Sequence, residues 1–456
     1  MTDLVHHFAA HAAGLRYEAV PEPARDKVRK SLLDTLGVSL AAGGLEPACR
    51  AAHAIAAEAG GAGQARLLAF GGRAPAVMAA FANGALVHGL DYDDLTSWGQ
   101  HCGSTILPAA LAVAERRGGI PGRDLIAAVA AGQDIFARLL RDTGWRKDWN
   151  FSTVAGVYAG VAAAGRVMGL DAGRMAAAMG IATMQSAGVM EMVAGRGSDL
   201  RGLYAGFSAK GAVLSVLMAE QGIGGIDRAF EGPNGVMACY FGGDYDRDAM
   251  LAGLGEDLLG ATTLYKRWPC VGTAHSHMKA AIDILSDTGL AIDDIAGICL
   301  HVGDYHLLMS QPLEARRAPS TLADAKFSLP FLVAVAMLRG GMSVRDFTAH
   351  GLRDPEVLAL ARKVTLQEDA ALNWRRELPP GRVEITSTDG RSWLREGLRV
   401  PGSADAPLGW DALCAKFREC AAVALHPPSA ARMARVEEMA QGLDDLPDAT
   451  AILDGL

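Results

Sequence analysis

The densest polar cluster in the chain is His88-Gly-Leu-Asp91-Tyr-Asp93-Asp94, followed by His101-Cys-Gly-Ser104. Three carboxylates within four residues repel one another unless they are paired or in use. His101 stands just before a helix predicted to begin near Ser104. A helix N-terminus offers unpaired N–H groups and the positive end of a dipole, which suits an anion. A histidine and a carboxylate beside such a place suit general acid–base work on an acidic substrate. Plainer roles compete: Asp93 or Asp94 can cap a turn, and His88 can be a hydrogen-bonded core histidine.

Two further clusters carry candidate chemistry. In Lys266-Arg-Trp-Pro-Cys270, followed by His275, His277 and Lys279, the proline stiffens a loop leading into a helix. His275 falls in that helix's first turn and shares a face with Lys279, while His277 points elsewhere. The functional reading is one histidine plus Lys266 aimed into a cleft between domains; the plain one is a solvated helix start. The third cluster is Gly195-Arg196-Gly197-Ser198-Asp199-Leu200-Arg201-Gly202-Leu203-Tyr204-Ala205-Gly206. A glycine-rich loop before a buried helix can hold an anion, with Arg201 as a bidentate carboxylate clamp. A surface role for Arg196 or Arg201 is the alternative.

Familiar catalytic signatures are missing from the sequence. It has no GxxxxGK[ST], no GxGxxG after a strand and no HExxH. GFSAKG (206–211) departs from the GxSxG elbow at its last position. Asp91-Tyr-Asp-Asp-Leu-Thr-Ser superficially resembles the aspartate-rich motif of prenyl-transferring enzymes, and aspartate pairs can hold Mg²⁺. No second aspartate-rich motif follows, so neither metal nor other cofactor is expected.

The 456 residues are 50% hydrophobic and 21% charged, enough apolar content for a large core and too much for disorder. The net charge of −8 argues against nucleic-acid binding and fits a soluble enzyme. The 7 cysteines show no CxxC or zinc spacing, which points to free thiols in a reducing compartment. No basic, then apolar, leader opens the chain, and no long uncharged apolar run suggests a membrane span. The cytoplasm is the default location, and no membrane partner is expected.

The elements that must position these clusters read as mainly helical. Val28, Leu32, Leu36 and Leu40 recur at i+4 behind Pro21 and Pro23. Residues 75–88, 104–117 and 124–141 repeat the pattern, with Ser104 and Asp124 as predicted N-caps. The Ala/Gly-rich stretches 153–168, 171–188 and 206–222 are apolar nearly all round, so they should be buried helices. The 54 glycines and abundant alanines predict close helix packing. After Trp268-Pro269 the pattern changes. A helix over 273–286 capped by Thr273 is followed by an alternating strand at Ile298, Leu300 and Val302. A helix over 321–339 carries Pro330 at a bend or in its first turn. Val383, Ile385, Asp389-Gly390, Trp393 and Leu394 read as a hairpin. Residues 403–407 look like a crossover into helices at 409–424 and 428–442. The expectation is a discontinuous all-helical domain, 1–265 and 404–456, with an inserted α+β lid at 266–403.

The chain resembles the MmgE/PrpD family over essentially its whole length. The resemblance rests on SLLDTLGVSLAA (31–42), ANGALVHGLDYDD (82–94), GVAAAGRVMGLD (160–171), FEGPNGV (230–236), KRWPCVGTAH (266–275) and DAKFSLPFLVAVAMLRGG (324–341). The family includes 2-methylcitrate dehydratase, cis-aconitate decarboxylase and iminodisuccinate epimerase. It implies a helical domain with an α+β lid, a homodimer, and cofactor-independent proton removal beside a carboxylate of a small di- or tricarboxylate. Asp91 and His101 match the family's acidic cluster and following histidine; Lys266 and His275 match its Lys…His segment. Three positions depart. A family histidine is Asn150 here. The lysine and histidine of Ser-x-Thr-Lys-x-x-His-Ala-Gly are Arg201 and Tyr204. A tyrosine of decarboxylase-like members is Phe331.

From this, His101 oriented by Asp91 is the expected proton-transferring group, with His275 or Tyr204 opposite it. Arg201, Lys266, Asn150, Asp94, Phe331 and the helix end near Ser104 are expected to hold the substrate. A 2-methylcitrate dehydratase-like hydro-lyase is the first expectation. An epimerase or a decarboxylase comes next, and a non-catalytic small-anion binder is the alternative from another class.

Overall fold

A helix that is apolar on every side needs neighbours on every side, and one such helix organises the larger part of the protein. The computed structural model describes residues 1–193 and 198–456. The long helices of the first half are α1 (Leu4–Gly14), α2 (Glu22–Leu45), α3 (Pro47–Glu58), α4 (Ala76–His88), α5 (Gly103–Arg116), α6 (Gly122–Arg141), α7 (Phe151–Met168), α8 (Ala172–Ala182) and α9 (Leu200–Glu220). Helix α7 packs against α1, α5, α6, α8 and α9. By length and composition α7 and α9 could each cross a membrane, but 89% of α7 is buried inside the protein as a core helix. A short hairpin, β1 (Ala65–Arg66) with β2 (Arg73–Ala74), precedes α4.

Small residues set the helix spacing, as the composition predicts. Helices α4 and α9 cross where Gly84 faces Gly206. A Cβ at Gly84 would lie 2.9 Å from the Gly206 Cα, and one at Gly206 would lie 2.4 Å from the Phe81 carbonyl oxygen. This crossing brings the C-terminal end of α4, with His88, against the first turns of α9, with Arg201 and Tyr204.

Several predicted helix ends move. Cys102, not Ser104, is the N-cap of α5; Ser104 lies inside the helix. Pro121 precedes α6, and Asp124 sits in its first turn. The helix expected over 171–188 stops at Ala182, because the next residues tighten onto the last carbonyls (Met184 N to Ile181 O, 3.1 Å) and Gly188 is drawn to Asn150 N at 2.8 Å. Thr273 is part of a 3-10 turn, Gly272–Ala274, that leads into the helix His275–Thr288.

The second layer is a sheet ordered β4-β3-β5-β6, made of β3 (Ile295–Val302), β4 (Val364–Glu368), β5 (Arg382–Ser387) and β6 (Ser392–Glu396). β3 runs parallel to β4 and antiparallel to β5, with Leu300 opposite Leu366 and Val383. The parallel pair requires a long crossover, which contains the helix Leu329–Arg339 with Pro330 in its first turn. Val383 and Ile385 are buried toward the helix His275–Thr288, which packs on β5 and β6. The C-terminal helices Trp410–Ala421 and Ala430–Gln441 return to the first layer and pack on α2.

Candidate active site

Helix α4 ends at His88, and the chain turns sharply after it. Asp91 has φ +51°, the left-handed region, which aspartate tolerates better than most residues. Its N–H returns to the His88 carbonyl at 2.9 Å. The turn throws the Asp91, Asp93 and Asp94 carboxylates in different directions, which resolves their mutual repulsion by giving each its own cationic or N–H partners.

Asp94 faces the helices. It accepts from Ser31 Oγ and from the Gly103 N–H, both at 2.8 Å, and so caps α5. It therefore does not line the cavity where a substrate could sit, and the expectation that it binds substrate is corrected. Ser104 is corrected for the same reason: it is buried in α5, and the helix end it was to present to an anion already holds Asp94.

Asp93 lies between two imidazoles. Its Oδ1 is 2.9 Å from His88 Nδ1 and 3.2 Å from His101 Nδ1. His101 Nδ1 also approaches the Asp94 carbonyl at 2.9 Å, and the His101 N–H donates to Ser152 Oγ at 3.0 Å. That leaves His101 Nε2, whose nearest partner is Asp91 Oδ1 at 3.4 Å, as the nitrogen open to the cavity. Asp91 in turn accepts a hydrogen bond from Lys266 Nζ on its carboxylate and another at 2.8 Å on its carbonyl. Lys266 reaches Asp91 because Leu95 and Leu264 pair as a two-way β-bridge, at 3.0 and 2.8 Å.

The electrostatics follow from burial and these pairings. Burial alone would lower the His101 pKa, but the charges of Asp93 and Asp91 override it and raise it to about 9. Burial lowers His88 more than Asp93 restores it. Asp91 resists the upward push of burial through Lys266 and His101, and its carboxyl is held well below the usual range. At neutral pH the cluster is thus imidazolium His101, neutral His88 and ionised Asp91 and Asp93.

Above this cluster lies a cavity of about 530 Å³, bordered by His88, Asp91, His101, Asn150, Arg201 and Tyr204 among others. Arg201 is 3% exposed, and its Nε and Nη1 have no hydrogen-bond partner. The guanidinium stacks over the Phe327 ring at 4.3 Å. Tyr204, one turn along α9 on the same face, lays its ring 4.2 Å from that of His88. Burial, then Asp91 and Asp93, push its hydroxyl pKa well up, so it stays protonated. Asn150 reaches the cavity while capping α7: its side chain accepts from the Ser152 N–H at 3.0 Å. Arg196 lies outside the described residues, as do Gly195 and Gly197.

The remaining expected residues sit elsewhere. Lys266 stands behind Asp91 and lines a second cavity of about 350 Å³ rather than the first. His275 lines that second cavity too, edge-on to Trp268 at 5.3 Å, and burial lowers its pKa to about 3. The two cavities share Gly272 and Leu378 in their walls. Phe331 is fully buried in the helix Leu329–Arg339; one turn earlier, Phe327 is the aromatic ring that reaches the cavity. Sequence reasoning missed Ser152, Phe327 and Tyr305. The SLPF segment pointed to the right turn but to the wrong ring. Ser152 carried a signal only as part of a helix start, and Tyr305 only as the second residue after a strand-ending glycine.

His88, Asp93 and His101 also present ligand atoms within 4.8 Å of one another, a group that could hold a metal ion. Both imidazole Nδ1 atoms point at one Asp93 oxygen, a pattern equally made by N–H donors on a shared carboxylate.

Residues 6–248 match the model of the MmgE/PrpD N-terminal domain, and residues 268–442 match the MmgE/PrpD C-terminal domain. The chain belongs to the MmgE/PrpD family. Among its relatives is a cis-aconitate decarboxylase of Aspergillus terreus, 26% identical over 427 residues, covering 86% of this chain and 83% of the relative. The cis-aconitate decarboxylases of Mus musculus and Homo sapiens are 25% and 24% identical, over 84% of this chain in each case and 79% and 80% of the relatives. At the level of reaction class this MmgE/PrpD protein groups with lyases. The mainly helical fold with a small sheet layer is the one the sequence resemblance implied.

Proposed function

We propose that this MmgE/PrpD protein is a lyase that binds a small carboxylate on Arg201 and moves a proton at the neighbouring carbon through His101. The observation that carries this reading is a buried guanidinium with two unpartnered nitrogens in the same cavity as His101 Nε2. An unpaired buried charge is costly, and a substrate carboxylate would relieve it with a bidentate, charge-assisted pair.

The charge state of His101 decides which half of the proton transfer comes first. Held between Asp91 and Asp93, it is an acid at neutral pH, not the evenly poised group expected from an ordinary histidine pKa of about 6.5. A decarboxylation uses such a group directly. The C–C bond to a carboxylate breaks, CO₂ leaves, the electron pair stays on carbon, and His101 Nε2–H delivers a proton there. Solvent then reprotonates the imidazole. The Asp91–Lys266 pair would keep His101 oriented, and Tyr204 would donate a hydrogen bond to substrate oxygen. Decarboxylation therefore ranks ahead of the 2-methylcitrate dehydratase-like and epimerase readings, both of which also require a neutral base. We also propose a homodimer. Exposed Leu200 and Phe207 on α9 and exposed Met184 and Val189 before it support that, and light scattering would test it.

The test is proton NMR in D₂O with chelator-treated protein and a panel of unsaturated and saturated di- and tricarboxylates. Deuterium entering carbon beside a carboxylate, with or without CO₂ release, supports the reading. Binding of these ligands without any exchange would favour the small-anion-binding alternative.

A further inference from the structure

Aromatic residues make up only 6% of the chain, yet four of them touch in series along one wall of the main cavity. Tyr305 meets Trp374 at 4.7 Å between ring centroids, Trp374 meets Trp145 at 4.9 Å, and Trp145 meets Phe151 at 5.8 Å. Leu308, 38% exposed, borders the same space. Arg201 and Tyr305 line the same cavity, so the shelf and the guanidinium share one space. Trp145 Nε1–H is buried without a partner.

The charges around the cavity do not suit a ligand with three carboxylates. Asp148, Glu191 and Asp304 border it along with Asp91. Of the cations, Arg146 is paired with Asp148 and Lys147 with Asp304. Among the described residues lining the cavity, two buried cations face it: the His101 imidazolium and Arg201, whose Nε and Nη1 lack partners. With Arg201 and His101 each facing one carboxylate, a third would lie against aromatic rings and acids, with its desolvation uncompensated.

We propose that the substrate is a carboxylate bearing a bulky apolar, preferably aromatic, substituent, with the carboxylate on Arg201 and the substituent along the Tyr305–Trp374–Trp145 shelf. This rests on the reading of the cavity as the catalytic site and names the substrate class. Flat aromatic walls favour flat apolar groups through area burial and ring–ring contact. A volume of about 530 Å³ is within the ~300–1,000 Å³ range of pockets that enclose drug-sized ligands.

Benzylsuccinate and tricarballylate test this cleanly, because both are succinates, one carrying a benzyl group and the other a carboxymethyl group. Binding is read from quenching of the cavity tryptophans and from calorimetry on the full-length protein. The expected result is a Kd at least tenfold lower for benzylsuccinate. Trp374→Ala should remove that preference while leaving tricarballylate binding within about threefold. Should Trp374→Ala misfold, Leu308→Asn at the half-exposed edge of the shelf should narrow the preference in the same direction. Equal or tighter binding of tricarballylate, or no binding of benzylsuccinate, overturns the proposal. Isotope exchange in D₂O separates the two readings. Preferential benzylsuccinate binding without exchange on any ligand keeps the substrate class and sinks proton transfer. Exchange and tighter binding with tricarboxylates alone do the reverse.

Discussion

His88 Nδ1 and His101 Nδ1 converge on a single oxygen of Asp93, at 2.9 and 3.2 Å. Burial lowers the His88 pKa, and the neighbouring His101 charge lowers it further. The positive charge settles on His101, which also has Asp91, and His88 stays neutral. Removing His101 with His101→Ala should lower turnover by ~10²–10⁴, the usual contribution of a general acid. Steady-state kinetics on a variant with an unchanged circular dichroism spectrum checks this. A loss below fivefold would falsify the assignment.

The pH dependence follows from the same charge. With the His101 pKa raised to about 9, the acid form is present throughout the neutral range. The rate should be flat from about pH 6.5 to 8 and fall as pH rises through about 9. A rate that climbs over that interval would make His101 a base instead. Stability carries a matching sign. The folded pKa lies above the unfolded value of about 6.5, so the stabilisation is complete below that value and is lost as pH rises toward 9. The difference in melting temperature between wild type and His101→Gln should therefore shrink from pH 7 to pH 9.5.

Arg201 should act mainly on affinity. Losing a bidentate, charge-assisted contact costs ~1.5–3 kcal/mol, about tenfold to a hundredfold in Kd. Arg201→Met should raise KM by that factor and change kcat less. Arg201→Lys should recover only part of it, because an ammonium has no planar fork. A titration of each variant with the preferred ligand separates the two effects.

Asp94 should matter to stability rather than to binding. It joins Ser31 on α2 to the first N–H of α5. Asp94→Ala removes a helix cap and leaves that N–H unpaired, at ~1–3 kcal/mol. Thermal unfolding should show a lower melting temperature, while ligand affinity of the folded fraction should change less than threefold.

The α4–α9 crossing offers a packing test. Gly206→Ala would push a methyl group to 2.4 Å from the Phe81 carbonyl oxygen. Overpacking of this kind costs ~1–3 kcal/mol. Because the crossing also sets the spacing between His88 and Arg201, ligand binding should weaken together with stability. The equivalent change at exposed Gly14, with nothing within 4 Å, should do neither.

What could be read beforehand depended on whether it was written locally. Helix periodicity located α4 through α7, and the Asp389-Gly390 turn located the β5–β6 hairpin, because neighbouring residues fix those features. The cluster from His88 to His101 stood out as candidate chemistry, and Arg201 as a candidate clamp, from residue type alone. The start of α5 was misplaced because its first N–H is capped by Asp94, nine residues upstream across an irregular turn. The roles of Asp94, Ser104, Phe331 and His275 were misjudged because their directions depend on the turn at Asp91 and on the phase of two helices. The His101 pKa was out of reach, since it rests on two carboxylates whose positions only the folded turn defines. The aromatic shelf joins Trp145, Tyr305 and Trp374 from three separate stretches, and no sequence spacing links them.

The pairing of Leu95 with Leu264, and of Asp91 with Lys266 across 175 positions of chain, has a consequence for how the protein is made. Contacts of such high sequence separation form late, after slow loop closure. A nascent chain that ends before Lys266 can contain His88, Asp93 and His101 yet lack the support that holds Asp91. Ligand affinity should therefore appear only at the last stage of folding, which makes ligand-dependent tryptophan quenching a kinetic clock for the completion of the native state.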